Sequence, residues 1–534
     1  MKLQVLSTSD SHTFWWANNI IDQQTSAPYG LFRAASALSV IEGLARTEGD
    51  FVIKVENGDF IQGSPLGAYL AKQAPEMADI LRKIPEEIGY DVRVLGNHEF
   101  NYGRKYLEGL LAHDETLLNA NVLDAVSNQP FIGQAYRIFE KKGKKVAVIG
   151  LTTKYVPNRE QPANIEGLYF DDPVKVARKL VKKLSKRVDA VVIAYHGGFS
   201  RNLSTDALLE AETGENQGNE LLKIPGVSAL VTGHQHRWIA GVYDGVPVSQ
   251  PGYRAEAIGQ LTVELDDQGE GVEAADNFSE NEAVADAWDA KLPAARLVKT
   301  DDWPESARYV SELAALQVAM DEWLDEEVGR LGVDLTLADV AQARQTGHGF
   351  VDLINQVQLA ATGADLAATA LFNDEMPGFL KKVSRRQLLG NYPFPNTLVT
   401  IALTGAQVKE ALEVNAGYFD LENGQVSVNK SYSYPKKQDY NYDLWAGLNY
   451  RFDLTKPLGQ RVRVEDVAGQ PFDLKRTYRV AVNNYRATGA GNPVFAKGKI
   501  LERGKCPLTT LIADFLKEHE GFVPEKQGNF HLDV

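Results

Sequence analysis

Short apolar runs rich in β-branched residues recur through the first half of the chain, at residues 3–6, 51–55, 92–95, 190–194 and 229–231. Runs of that length and β-branched content predict buried strands, as a sandwiched sheet requires. Between them, residues 31–44 and 173–184 space their apolar side chains at helical intervals. The alternation of strand and helix predicts a layered α/β domain reaching to about Glu264. Across residues 305–331, Val310, Leu313, Leu316, Met320, Leu324 and Val328 keep helical spacing, which predicts a linker helix packed on one face.

Beyond residue 333 the pattern changes. Residues 350–361 read as an amphipathic helix and 399–403 as a strand. Thr404-Gly405-Ala406-Gln407 has the spacing of a capping box ahead of a helix through Val414. Residues 415–443 are rich in Tyr, Asn, Ser, Lys and Gly, which predicts a long surface loop suited to carry binding groups. The chain shows no internal repeat. The expected division is a first domain at 1–300, a linker helix at 301–332 and a second domain at 333–534.

A length of 534 residues exceeds one compact core and agrees with two domains. The formal net charge of -15 opposes affinity for nucleic acid or anionic lipid, so a long nucleic acid is not an expected partner. Membrane association is not expected either, because no apolar run approaches the roughly 18 residues of a membrane span. Cys506 is the only cysteine, which excludes an intrachain disulfide and gives no sign of an oxidising compartment. The sequence enters its first strand directly after Met1, so a cytoplasmic location is expected, or an extracellular or periplasmic one if a leader has been removed. No obligate protein partner is inferred.

The candidate chemistry sits where the apolar runs end. Asp10 and His12 follow the first run, Asp59 the second, Asn97 and His98 the third, His196 the fourth, and His234 with His236 the fifth. Oxygen and imidazole groups delivered together at strand ends are how a fold builds a metal cluster from distant parts of a chain. A lone histidine at a strand end is more often an ordinary surface or core residue. Five of the nine histidines fall in these motifs, and that order outweighs the ordinary reading.

The ordered set resembles the calcineurin-like metallophosphoesterases. The strings GNHEFNYG at 96–103, NYPFPNTLV at 391–399, TGAQVKEALE at 404–413 and NNYRATGAGN at 483–492 narrow the resemblance to the family of 5'-nucleotidases and 2',3'-cyclic-nucleotide phosphodiesterases. GNHEFNYG and NNYR look most like the branch of cyclic phosphodiesterases and 3'-nucleotidases. The resemblance covers nearly the whole chain. It implies an N-terminal four-layer β-sandwich flanked by helices, with a second α/β (α+β) C-terminal domain that binds substrate.

The resemblance further implies two divalent metal ions, one held by Asp10, His12, Asp59 and His236, the other by Asp59, Asn97, His196 and His234. Mixed imidazole and oxygen ligands suit Mn, Zn, Fe or Co. By the same resemblance His98 acts on the phosphoryl group without holding metal, supported by Asn101 where 5'-nucleotidase relatives carry an aspartate. The expected substrate is a small nucleotide. Tyr442 is the first choice for stacking on its base and Tyr440 the second, with Tyr485 from the other segment, while Arg486 and Asn396 are candidates for sugar or phosphate. A 5'-nucleotidase or UDP-sugar hydrolase, and a nucleotide-binding protein that has lost catalysis, are the alternatives weighed.

Overall fold

The buried strands of the first half assemble into two six-stranded sheets. In a computed structural model, which describes residues 1–20, 25–265, 294–434, 436–525 and 528–534, two units make up the chain, Met1–Met320 and Asp321–Val534. One sheet of the first unit orders Ala295–Lys299, Ala257–Glu264, Lys2–Thr8, Phe51–Glu56, Val92–Val94 and Leu117–Leu118. The other orders Trp238–Tyr243, Val246–Pro251, Ala229–Val231, Ala190–His196, Lys144–Thr152 and Tyr136–Lys141. Parallel neighbours occupy the middle of both, Lys2–Thr8 with Phe51–Glu56 and Val92–Val94, and Ala229–Val231 with Ala190–His196 and Lys144–Thr152.

The sheets face each other. Val5, Ile53, Val55 and Val94 of one interlock with Val146, Val148, Val192 and Val231 of the other. On the outer face of the second sheet, Ile149, Val191 and Ile193 pack under Val174, Ala177, Val181 and Leu184 of helix Pro173–Leu184. Helix Leu31–Thr47 covers the first sheet. The order helix, sheet, sheet, helix covers both faces of the central strands, so Ala190–His196 is buried at every position and the sequence shows a run in place of an alternation. Each such Val or Ile contributes about 1.5–3 kcal/mol by leaving water. Helix Pro173–Leu184 starts cleanly because Asp172 accepts a 3.0 Å hydrogen bond from Lys175 N and proline fills the first helical position.

Strand Phe51–Glu56 ends on a buried carboxyl group. Burial pushes Glu56 from the ordinary value of 4.5 up to about 8, although Arg93 works against the rise. A pKa raised on folding contributes stability that is complete below the unfolded value and is lost as pH climbs through the folded one. Glu56→Gln removes that titration. The parent is expected to lose stability relative to this variant between about pH 5 and about pH 9, by on the order of 4 kcal/mol. Urea unfolding midpoints measured at both pH values check it, and parallel pH curves would contradict it.

The linker differs from the expectation of one helix. Two helices, Ala307–Glu312 and Ala314–Asp325, are followed by strand Glu327–Arg330, paired with Lys382–Ser384. Val328 is therefore a strand residue, and the units divide at Met320/Asp321, inside the second helix, not at 300 or 333. Gly329 explains the change. A Cβ there would stand 2.4 Å from Leu516 Cβ, so only glycine lets the strand approach helix Leu508–Glu518, and glycine is a poor helix former.

The second unit centres on a five-stranded sheet in the order Asp443–Ala446, Leu366–Ala370, Thr477–Asn483, Thr397–Thr404 and Lys499–Pro507. Helices Gly349–Thr362 and Gly405–Ala416 pack on it. The second helix opens with the capping box expected from sequence. Thr404 Oγ1 accepts from Gln407 N at 3.3 Å, and Gln407 Oε1 accepts from Thr404 N at 2.8 Å. Residues 415–443 are not one long loop. They hold a hairpin, Phe419–Glu422 with Gln425–Val428, whose turn places Asn423 and Gly424 at φ 52° and 78°. Asn-Gly is the strongest short hairpin signal, and composition had masked it. Among the described residues, no helix is long and apolar enough to cross a membrane.

Candidate metal centre

All the strand-end motifs of the first unit converge. Asp10 and His12 lie in the loop after Lys2–Thr8, Asp59 after Phe51–Glu56, and Asn97 after Val92–Val94, while His196 is the last residue of its strand and His234 and His236 follow Ala229–Val231. Reaching inward requires unusual backbone: Asp10, His12, Asp59, His234 and His236 all adopt left-handed φ between 50° and 71°. Each such residue costs roughly 1–3 kcal/mol, a strain that recurs where function constrains the chain. Packing enforces the turns. A Cβ on Gly96 would lie 2.2 Å from Asp59 Oδ1, and one on Gly233 would lie 2.1 Å from Ser9 Oγ.

Two ligand-competent groups form. Asp10, His12 and His236 make one, Asp59, His196 and His234 the other, with the donor atoms of each group within 4.8 Å of one another. Asp59 reaches both: its Oδ2 is 3.1 Å from His196 Nε2 and 3.7 Å from His12 Nε2. The imidazoles are oriented from behind. His12 Nδ1 donates to Gln62 O at 2.6 Å and His196 Nδ1 donates to Asn57 O at 2.7 Å. Their Nε2 atoms are buried and face Asp59 Oδ2. His234 is held in the opposite sense, its Nε2 donating to Glu215 Oε1 at 3.0 Å, so that Nδ1 lies 2.7 Å from Asn97 Oδ1. Two lone pairs that close call for a shared cation or proton, and a carbonyl or carboxylate behind a histidine, as at His12, His196 and His234, is the usual support of a metal ligand. The donor set therefore fits two divalent ions.

Electrostatics agree with that fit. Burial alone would lift Asp59, yet His196, His98 and His12 hold it well below the usual carboxylate range. His196 is pulled up to about 10, because Asp59 and Asp10 overcome the burial that disfavours its charge. Burial takes His12 the other way, to about 4. Buried negative charge on this scale attracts cations.

His98 follows Asn97 at the start of a 3-10 turn, His98–Tyr102, with its ring centroid 5.1 Å from that of His12. Its backbone N donates to Asp59 Oδ1 at 2.7 Å. Its Nδ1 donates to Asn101 Oδ1, also at 2.7 Å, so the expected pairing of His98 with Asn101 is present in the geometry. Several supporting residues escaped the sequence reading. Glu99 is buried and accepts from the backbone N of Gly96, Asp59, Phe60 and Ile61, tying two site loops together. Glu215 braces His234 and is itself paired with Arg159 at 2.7 Å. Tyr253 stacks on His236, with centroids 4.3 Å apart.

Comparison with known proteins now bears on this centre. Residues 3–238 match the calcineurin-like phosphoesterase family and residues 327–497 match the 5'-nucleotidase C-terminal domain. A solved Staphylococcus aureus structure, provisionally named a 5'-nucleotidase, is 31% identical, with TM-score 0.87 and complete coverage of both chains. The chain belongs to the 5'-nucleotidase family of metallophosphoesterases. A 2',3'-cyclic-nucleotide 2'-phosphodiesterase/3'-nucleotidase of Yersinia enterocolitica is 28% identical over 99% of this chain and 88% of its own length. A 5'-nucleotidase of Vibrio vulnificus is 24% identical over 91% of this chain and 85% of its own. This metallophosphoesterase is thus a hydrolase of phosphoric esters that works with divalent metal ions.

Its second unit corrects part of the expected substrate set. Tyr442 is only 1% exposed, stacks on Tyr418 at 4.6 Å and donates to Arg344 O at 3.0 Å. Pairing of Asp443–Ala446 with Leu366–Ala370 carries it into the core, so it is a packing residue and not a surface for a base. Trp445 is likewise buried, against Phe495. Arg486 is also withdrawn from the substrate candidates. Its guanidinium is 1% exposed and bound to both oxygens of Asp443, at 3.1 and 2.6 Å, and to Ala490 O at 2.8 Å. Tyr440 and Tyr485 are half-buried, with centroids 6.2 Å apart and rings edge to face. Asn396 is half-buried, and its backbone carbonyl accepts from Leu508 N.

Proposed function

We propose that this metallophosphoesterase hydrolyses nucleoside phosphates, with 2',3'-cyclic nucleotides and nucleoside 3'-phosphates as its preferred class. The observation that carries the reading is the pair of ligand groups sharing Asp59, with His98 beside them and tied to an amide, Asn101. One ion would be held by Asp10, His12, Asp59 and His236, the other by Asp59, Asn97, His196 and His234. Mixed imidazole and oxygen ligation favours Mn, Zn, Fe or Co over Mg or Ca. When bound, two such ions supply Lewis-acid stabilisation of phosphoryl charge and a nucleophile at neutral pH.

The chain's own residues do the rest. Asp59, being shared, fixes the spacing of the two groups. His98 has its Nδ1 committed to Asn101, so proton exchange with the leaving oxygen falls to Nε2. In the second unit, Tyr440 and Tyr485 are the rings assigned to the base. Tyr440→Ala is expected to weaken nucleotide binding by roughly 1 to 3 kcal/mol, the scale of one base on one ring. Turnover of a bis-aryl phosphodiester, which has no base, should stay unchanged. Equal losses on both substrates would make Tyr440 a packing residue.

Steady-state turnover of 2',3'-cyclic AMP, 3'-AMP, 5'-AMP and UDP-glucose, each with Mn, Zn, Co and Mg, tests the preference. The first two are expected to be the best substrates. A clear lead for 5'-AMP would favour the second reading, a 5'-nucleotidase, which the Staphylococcus aureus relative supports.

A further inference from the structure

Glu160 lies outside both ligand groups, in the loop after the 3-10 turn Val156–Asn158, and sequence gives it no motif. Its carboxylate is surrounded by donors. Asn101 Nδ2 donates to Oε2 at 2.6 Å, while Asn164 Nδ2 and Gln161 N donate to Oε1 at 2.9 and 2.7 Å. The orientation of Asn164 is settled independently, since the same Nδ2 also donates to Asn101 O at 3.2 Å. Burial raises the pKa of Glu160, and these hydrogen bonds oppose the rise. All three partners being donors, the cradle suits a carboxylate.

We propose that Glu160 is a positioning residue that fixes the tautomer of His98 through the amide of Asn101. An amide can present either its oxygen or its NH2 to a neighbour, and nothing in Asn101 itself chooses. With NH2 held by Glu160, Oδ1 must face His98, and Nδ1 of His98 must carry hydrogen. Nε2 is then the position that exchanges a proton with the substrate. An aspartate in place of Asn101 would make this choice unaided; here the carboxylate stands one residue further back. The inference rests on the role given to His98 under the proposed function.

Substitution tests the logic of donors and acceptors. In Glu160→Gln the new carbonyl serves Asn164 and Gln161 N, so the new NH2 faces Asn101. Two NH2 groups cannot face each other, and the Asn101 amide turns over. It then presents NH2 to His98, whose Nδ1 must accept, and the proton moves to Nε2. Adding Asn101→Asp restores the original demand: one carboxylate oxygen accepts from His98 Nδ1–H and the other from the new amide. Asn101→Asp alone sets two carboxylates against each other.

The experiment is long-range 1H–15N NMR of the zinc-loaded full chain with 15N-histidine, recorded at alkaline pH, alongside turnover of 3'-AMP. Glu160→Gln should move the His98 hydrogen from Nδ1 to Nε2 and lower kcat roughly 10- to 100-fold, the range for losing such a supporting contact, with KM little changed. The double variant should regain the Nδ1–H signature and exceed both single variants in kcat. The proposal is overturned if His98 keeps Nδ1–H in Glu160→Gln, or if the double variant turns over no faster than Glu160→Gln. A parent inactive on every nucleotide would defeat the proposed function alone, because the tautomer comparison needs no substrate.

Discussion

Asp59→Ala is expected to abolish turnover, lowering kcat by roughly 10³-fold or more, the scale seen when a central catalytic component is removed. Asp59 stands between the two ligand groups, with His196 at 3.1 Å and His12 at 3.7 Å, where Asp10 lies 3.9 Å from each. It also accepts the backbone N–H of His98 at 2.7 Å, so its loss loosens the turn that carries His98. Without its charge, two cations would face each other with less compensation. Elemental analysis should fall from close to two divalent ions per chain to one or fewer. A variant that keeps two ions and its activity would show that Asp59 is not shared.

His98→Ala is expected to separate chemistry from metal binding. kcat should fall roughly 10²-fold or more, the contribution of a positioned acid or charge stabiliser, while metal content stays at the parental level. His98 belongs to neither ligand group, and its Nδ1 is bonded to Asn101. Substrates with very good leaving groups, such as bis-aryl phosphodiesters, should suffer less because their leaving oxygen needs no proton. Loss of a metal ion from this variant would make His98 a ligand and remove the role given to it.

The first unit was legible in sequence for a physical reason. Strands covered on both faces are dominated by apolar residues, so polar groups such as Asp59 and His234 stand out at their ends, where parallel strands open into a crevice. Local conformation was not legible. The left-handed φ of Asp10 and His12 occurs beside neighbours such as Gly233 and Gln62 that come close only after folding. The supports of the histidines were hidden for the same cause: Glu215 and Glu160 come from loops distant in sequence, where one glutamate looks like any other.

In the second unit, an aromatic-rich stretch misled because composition does not say which ring is buried. Tyr440 and Tyr442 are two residues apart, yet a strand begins at Asp443, which draws Tyr442 into the core and leaves Tyr440 half-buried in the turn before it. Arg486 read as a phosphate ligand because a cation beside aromatic residues invites that reading. Its partner Asp443 lies 43 residues away and becomes visible only in the fold. The linker and the hairpin at Asn423-Gly424 failed differently, since in both a glycine signal was present and was outweighed by the surrounding pattern.

Metal titration of phosphate release tests the central claim most directly. Chelator-treated protein is titrated with Mn while release of phosphate from 3'-AMP is followed. The account predicts negligible turnover without metal and a rise that saturates at two equivalents per chain. Full activity in the metal-free protein, or saturation at one equivalent, would contradict a centre built from two ligand groups around Asp59.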